Sequence, residues 1–110
     1  MLLNDARSVE PEQVSEGIRI RWLITQEEGA PNFAMRVIEI DTGVVFAPHH
    51  HPYEHEIYVL SGFGVVTKPE GDVGEMAPGK FVFVEPDQTH GYRNEGDETL
   101  KFICVIPLQE

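Results

Sequence analysis

The stretch HHHPYEHE, residues 49–56, packs four of the chain's five histidines into eight positions, with two glutamates and a proline among them. An isolated histidine in such a turn reads as a solvated loop residue; the spacing here changes that reading. Residues i and i+2 of an extended strand project from the same face, so His49 and His51 form a pair and His50 points the other way. Two imidazoles on one face, followed after the turn at Pro52 by a third nitrogen donor, make an arrangement that transition metals use, since imidazole suits zinc, copper, iron and nickel. The fifth histidine, His90, follows another extended segment in the turn PDQTH (86–90) and could return to the same centre in a closed barrel.

Working outward, Pro, Gly and acidic turn residues punctuate the chain at EEGAPN (27–32), DTG (41–43), KPEGD (68–72), APGK (77–80) and NEGDE (94–98). Between them lie short segments rich in β-branched and aromatic residues: IRIRWLI (18–24), FAMRVIEI (33–40), EIYVLSGFGVVT (56–67), KFVFVE (80–85) and TLKFICVI (99–106). Short strands at this spacing predict an all-β sandwich or barrel. A helical turn is expected only within residues 5–16, around Val9, Pro11 and Val14. The whole chain, 1–110, reads as one domain, with an N-terminal arm over 1–17 and a barrel core over 18–106.

Composition narrows the function classes. With 41% hydrophobic and 25% charged residues the chain has the make-up of an ordinary globular domain. Nineteen acidic residues against eight basic ones give a net charge of −11, a field that repels phosphate backbones and anionic lipid, so neither nucleic acid nor membrane is expected as a partner. A single cysteine, Cys104, forms no disulfide within the chain, and the N-terminus lacks the pattern of a secretion signal, so a cytoplasmic location is expected.

The histidine stretch and its surroundings resemble the cupin family. The first cupin motif reads G, five residues, HxH, three or four residues, E, six residues, G. Here it runs Gly43, VVFAP, His49, His50, His51, and leaving six residues before Gly62 sets the last ligand position on His55. A gap of four would choose Glu56 instead, but would drop the closing glycine onto Phe63. The second motif maps onto Gly79, KFVFV, Glu85, Pro86, Asp87, QT, His90, GYR and Asn94, with Glu85 and Asp87 in place of the family's proline and glycine. Asp tolerates such a turn. With histidine in place of the usual glutamate, the chain is similar to small single-domain cupins with a four-histidine metal centre. The resemblance implies a jelly-roll β-barrel, commonly a homodimer. It implies too that His49, His51, His55 and His90 hold one divalent transition-metal ion near the barrel mouth, manganese or iron favoured over nickel, zinc or copper.

Four neutral imidazoles leave a divalent ion's charge of about +2 uncompensated, which makes it a stronger Lewis acid and favours anionic, enolate-like small-molecule substrates. Arg36 shares a face with Ala34, Ile38 and Ile40. It reads either as an anion contact for substrate or as a rim residue reaching to water. Phe46 and Phe102 are expected as apolar pocket walls, with Cys104 beside them as a small core or pocket-lining residue. The leading expectation is an oxygenase acting on an enol, catechol-like or keto-acid substrate. The alternatives are a non-redox Lewis-acid isomerase, decarboxylase or lyase, and a small-ligand sensor without catalysis, because cupins do all of these. A homodimer is expected to cover residues 18–24, taken as an edge strand in which Ile18, Ile20, Trp22 and Ile24 alternate with Arg19 and Arg21.

Overall fold

In the computed structural model, which describes residues 1–109, the segments rich in β-branched and aromatic residues all form strands. In chain order these are β1 (Glu12–Ser15), β2 (Ile18–Ile24), β3 (Phe33–Ile40), β4 (Val45–His49), β5 (His55–Ser61), β6 (Gly64–Lys68), β7 (Gly71–Met76), β8 (Phe81–Val84), β9 (His90–Asn94) and β10 (Leu100–Pro107). They pair antiparallel into a six-stranded sheet, β1-β2-β3-β10-β5-β8, and a four-stranded sheet, β4-β9-β6-β7. The two sheets close into a jelly-roll barrel, as expected. Among the described residues no helix is long and apolar enough to cross a membrane.

Alternation decides which side chains enter. On β5 buried His55, Ile57 and Val59 alternate with exposed Glu56, Tyr58 and Leu60, and β10 buries Leu100, Phe102, Cys104 and Ile106 in the same way. These residues meet Ile38 and Ile40 of β3 and Met76 and Tyr92 of the opposite sheet in one core. Asn94 fastens the two sheets together at the end of the barrel away from the histidines. Its Nδ2 donates to the Ile40 carbonyl at 2.8 Å and to that of Glu98 at 2.9 Å, and its Oδ1 accepts from the Gly96 amide.

Several expectations are refined. The run 56–67 is two strands, broken at Gly62, because its apolar face changes sheets there. Within 5–16 the chain makes a short 3-10 turn, Ala6–Ser8, and then the strand β1, which pairs with β2. β2 therefore lies between β1 and β3 and is no edge. Its arginines serve a different purpose: Arg19 and Arg21 each donate through Nε to Glu39, at 3.1 and 3.0 Å, on the outer face of the sheet. Burial alone would raise the Glu39 carboxyl, but the hydrogen bonds from Arg21 and Arg19 outweigh it and hold the carboxyl below its ordinary range. Arg21 also donates to the carbonyls of Ala6 and Val9, which straps the N-terminal arm over β2 and β3 beside Leu23 and Met35.

Gly62 fixes the register of β5 and hence which residue of His55 and Glu56 enters the barrel. Its φ is 86°, and a Cβ built there would lie 2.6 Å from the Thr99 carbonyl oxygen and 2.7 Å from Leu100 Cα, both backbone atoms of the neighbouring strand. Gly62→Ala is expected to destabilise the fold by at least about 2 kcal/mol, through left-handed strain together with the clash. Urea denaturation monitored by circular dichroism reads this; a midpoint unchanged from wild type would show that the turn can relax.

Candidate metal centre

Three strand termini and one turn converge at the barrel mouth. His49 is the last residue of β4 and His90 the first of β9, and the two face each other in the antiparallel ladder. His55 opens β5, and His51 lies in the turn between β4 and β5. The turns that carry them are tied together: the Asp87 amide donates to the His51 carbonyl at 2.6 Å. Asp87 makes that bond with φ at 64°, the left-handed region, so it takes the conformation that glycine gives the family motif.

The four rings stand in a closed circuit. Their centroids are 5.1 Å apart for His49 and His51, 5.2 Å for His51 and His55, 5.0 Å for His55 and His90, and 4.3 Å for His90 and His49. His50 is exposed and outside the circuit. Glu56 is exposed on the outer face of the six-stranded sheet, next to Phe83 and Val105, so the register that makes it a ligand is excluded.

The hydrogen bonds around the rings set their tautomers. Nδ1 of His90 donates to the Gln88 carbonyl at 2.9 Å, and Nδ1 of His49 to that of Ala47 at 3.1 Å, which leaves a lone pair on each Nε2. His90 Nε2 is buried and has no protein partner, and neither has buried His55 Nδ1. Buried polar atoms are nearly always paired, so two orphans in one cluster ask for a further partner. Imidazoles sharing one ion at about 2.0–2.1 Å would bring neighbouring ring centroids to about 4.5–5.2 Å, so the observed spacings and the donor chemistry fit such a group. The side chains as they stand do not close on a point: among the described residues no three His, Cys, Asp or Glu form a ligand set.

A cavity of about 380 Å³ opens over the rings. Phe46 stacks on His49 at 4.8 Å, and Tyr53 lies parallel to His51 at 4.9 Å. Tyr92 and Trp22 complete the aromatic wall. Arg36 faces this cavity and not the rim. Its Cζ sits 5.4 Å from the Trp22 ring centroid, its Nη2 donates to Cys104 Sγ at 3.2 Å, and its Nε is buried without a protein partner. Cys104 and Phe102 are wholly buried behind Arg36 and Tyr92, so both belong to the core and neither lines the cavity. Trp22 was not anticipated as a wall, although its parity with Ile18 and Ile20 and its pairing with Arg36 put it there.

Burial holds the imidazoles neutral. Desolvation, opposed in His49 and His90 by their carbonyl partners and reinforced by Arg36, lowers the pKa of His49, His51 and His90, and that of His55 falls to about 3. Burial likewise raises the Cys104 thiol, with Arg36 opposing, so it stays protonated at neutral pH.

The cupin domain family matches residues 36–106. Among solved structures, the polyketide cyclase RemF from Streptomyces resistomycificus superposes with a TM-score of 0.91 at 29% identity, over 99% of this chain and 80% of that one. A predicted oxalate decarboxylase from Thermotoga maritima gives 0.84 at 22% identity, over 98% and 100% of the two chains. A sugar phosphate isomerase of the cupin superfamily from Silicibacter pomeroyi gives 0.78 at 18%, over 96% and 74%. The last two likenesses concern the fold alone. No curated protein matches the chain.

The lowered histidine pKa values make a pH prediction for the metal-free chain. The native state binds fewer protons than the unfolded chain wherever a folded pKa lies below the unfolded one. Stability is therefore full above the ordinary histidine value of about 6.5 and falls as pH drops through it, the His55 contribution being lost progressively down to about 3. Urea midpoints at pH 7.5, 6 and 5 should decline in that order, and His55→Asn should flatten the decline. A midpoint independent of pH over this range would contradict the assignment.

Proposed function

The chain belongs to the cupin domain family, and from that premise we propose that it is a metal-dependent enzyme in which His49, His51, His55 and His90 hold one divalent transition-metal ion at the head of the aromatic cavity. The observation that carries this reading is the closed circuit of four imidazoles with two buried, unpartnered nitrogens. When bound, the ion supplies Lewis acidity toward a carbonyl or enolate oxygen. An all-imidazole donor set suits iron, zinc, nickel or copper.

The rest of the chemistry belongs to the protein. Arg36 offers the buried Nε–H and a fixed positive charge, stacked on Trp22, to a carboxylate or enolate entering the cavity. Phe46, Tyr53 and Tyr92 exclude water from the rings, which strengthens that charge-assisted contact. The carbonyls of Ala47 and Gln88 hold two imidazoles in the tautomer that leaves Nε2 free. Of the two enzymatic readings open from the sequence, non-redox Lewis-acid chemistry on an enolisable carbonyl substrate is preferred over oxygenation. Its support is the 29% likeness to a polyketide cyclase, since ring closure through an enolate needs an activated carbonyl and no oxidant.

Metal content measured by mass spectrometry should fall sharply in alanine variants at each of the four histidines and stay near wild type in His50→Ala and Glu56→Gln. Equal loss in His50→Ala and His49→Ala would sink the ligand set. The reaction class is read by incubating the metal-loaded protein anaerobically in deuterated water with a panel of 1,3-diketones and aromatic poly-β-ketones. Deuterium should wash into the carbon between the carbonyls. In a parallel aerobic incubation, oxygen uptake coupled to product would restore the oxygenase reading, and tight binding with neither would make the chain a sensor. Arg36→Met should remove about 1.5–3 kcal/mol of anion binding, a tenfold or larger rise in KM, with metal content unchanged.

A further inference from the structure

A second cavity, of about 430 Å³, opens at the barrel mouth beside the one that holds the histidines, and Trp22 and Tyr53 stand in the walls of both. On the side of the first cavity Trp22 carries the Arg36 guanidinium over its ring, and Tyr53 lies parallel to His51, its centroid 5.3 Å from that of His55. The sequence of β3 opens the second space. Its inward series runs Ile40, Ile38, Arg36 and then Ala34, which lies beside Ile106 of β10 in the ladder, so the bulk stops short of the mouth. Ala34, Ile106 and Leu108 are left as an apolar floor. The rim is built by a 3-10 turn, Gln26–Glu28, which a capping box locks: Glu28 Oε1 accepts from the Thr25 amide at 2.7 Å, and the Thr25 hydroxyl accepts from the Glu27 amide at 3.1 Å. Glu28 is thereby engaged within the turn, whereas the Glu27 carboxylate has no hydrogen-bond partner among the described residues. Gln109 donates through Nε2 to the Pro107 carbonyl, which leaves its Oε1 to accept. Among the described residues no lysine, arginine or histidine lines this cavity, while Arg36 and three of the four histidines line the other.

We propose that the second cavity is a subsite for the far end of the substrate, and that this end is an aromatic ring bearing hydroxyl groups. The inference rests on the proposed placing of an enolate or carboxylate end at Arg36. The two cavities have opposite characters, a cation in one and acceptors in the other, so they suit the two ends of one ligand that differ in the same way. A flat ring matches an apolar floor between two aromatic walls, and hydroxyls at its edge reach the acceptors of the rim, Glu27 and Gln109. A carboxylate or phosphate in that place would meet Glu27 and no cation, and a bare alkyl chain would strip water from Glu27 without replacing its hydrogen bonds. Each cavity lies near the lower end of the about 300–1,000 Å³ that ligand pockets span, so a ligand that fills the first leaves the second to a further ring. Trp22 and Tyr53, touched by both ends of such a ligand, set how the two ends are spaced.

Isothermal titration calorimetry of the zinc-loaded protein tests this with three diketones that share one head: acetylacetone, benzoylacetone, and benzoylacetone carrying two ring hydroxyls. The ring should tighten binding about tenfold over acetylacetone, and the hydroxyls about tenfold again. Ala34→Val, which raises the floor, and Gln26→Trp, which narrows the cleft from an exposed position, should each remove the gain from the ring and leave acetylacetone within about twofold of wild type, with circular dichroism confirming the fold. Glu27→Met should remove most of the gain from the hydroxyls and none of that from the ring. Equal affinity for acetylacetone and the dihydroxylated compound overturns the subsite, as does a ring gain that survives both Ala34→Val and Gln26→Trp. A ring gain without more from the hydroxyls, or a hydroxyl gain indifferent to Glu27→Met, overturns the donor-bearing class. Failure of acetylacetone to bind would overturn the reading of the first cavity and not of the second, which resorcinol, having no enolate end, reads by itself. Resorcinol should bind wild type at about millimolar concentration and Ala34→Val at least about tenfold more weakly, and equal binding to the two overturns the subsite.

Discussion

A strand turns successive side chains to opposite faces, so of the neighbours His55 and Glu56 only one can enter the barrel. Most of what distinguishes this chain rests on that constraint. The Gly62 turn, held against the backbone of Thr99 and Leu100, sets the phase of β5, and the phase admits His55. Had it admitted Glu56, a carboxylate would face three imidazoles, and the cluster would carry a negative charge where burial now keeps the histidines neutral. The same phase turns Glu56 outward among Tyr58, Phe81 and Phe83, where a charge is conspicuous because everything around it is apolar.

Three of the four histidines lie within residues 49–55 and His90 joins them from another strand, and their gathering depends on two kinds of tie. Ladder pairing sets His49 directly opposite His90. The amide of Asp87, donating to His51, joins the turns that strands alone would leave free. A loop fixed by one backbone bond is cheaper to order than one fixed by burial, since it carries few apolar residues to pack. Asp87 accepts a left-handed conformation to make that bond, so strain of the order of 1 kcal/mol sits beside the site. Orientation of the rings is then left to carbonyls of Ala47 and Gln88, each two residues before the histidine it holds. Local contacts of this sort keep the rings aimed whether or not the loops breathe.

Much of this was legible in the sequence. Counting from Gly62 chooses His55 over Glu56, and the structure turns His55 into the barrel and Glu56 out of it; His50 stands outside the ring circuit as parity expects, but β4 ends at His49, so the turn and not strand period places His51. The strands 18–24 and 33–40 are legible to the residue because strand period is a local property. What failed was partnership. β7, GDVGEM, has almost no apolar alternation and is held only by its ladder with β6, so no pattern announces it. From sequence β2 reads as an edge because β1, exposed throughout and polar apart from Val14, gives no sign that it pairs there. Phe102 was expected at the pocket wall, yet alternation alone cannot say how deep along a strand the cavity reaches. Tyr92 from the opposite sheet fills the space in front of it, 4.9 Å away. Arg36 was open between pocket and rim until the register with Trp22 gave its guanidinium an aromatic face to lie on.

A net charge of −11 and a cavity lined by a guanidinium look opposed, and the placement of the charges reconciles them. The carboxylates lie on outer faces and turns, some of them paired on the flanks: Asp41 with Arg19, Asp72 and Glu95 with Arg93. At physiological ionic strength their field decays over about 8 Å, so a ligand inside the barrel responds mainly to the groups lining it. Those are aromatic rings, neutral imidazoles and one guanidinium whose Nε has no carboxylate to satisfy it. The acidic exterior field therefore acts on the approach of a charged molecule, while the potential inside the barrel is set by the groups that line it. On the proposal that the cavity takes an anion, raising the salt should speed its entry more than it weakens the bound state, because screening reaches the exterior field first and a contact to Arg36 inside the barrel last.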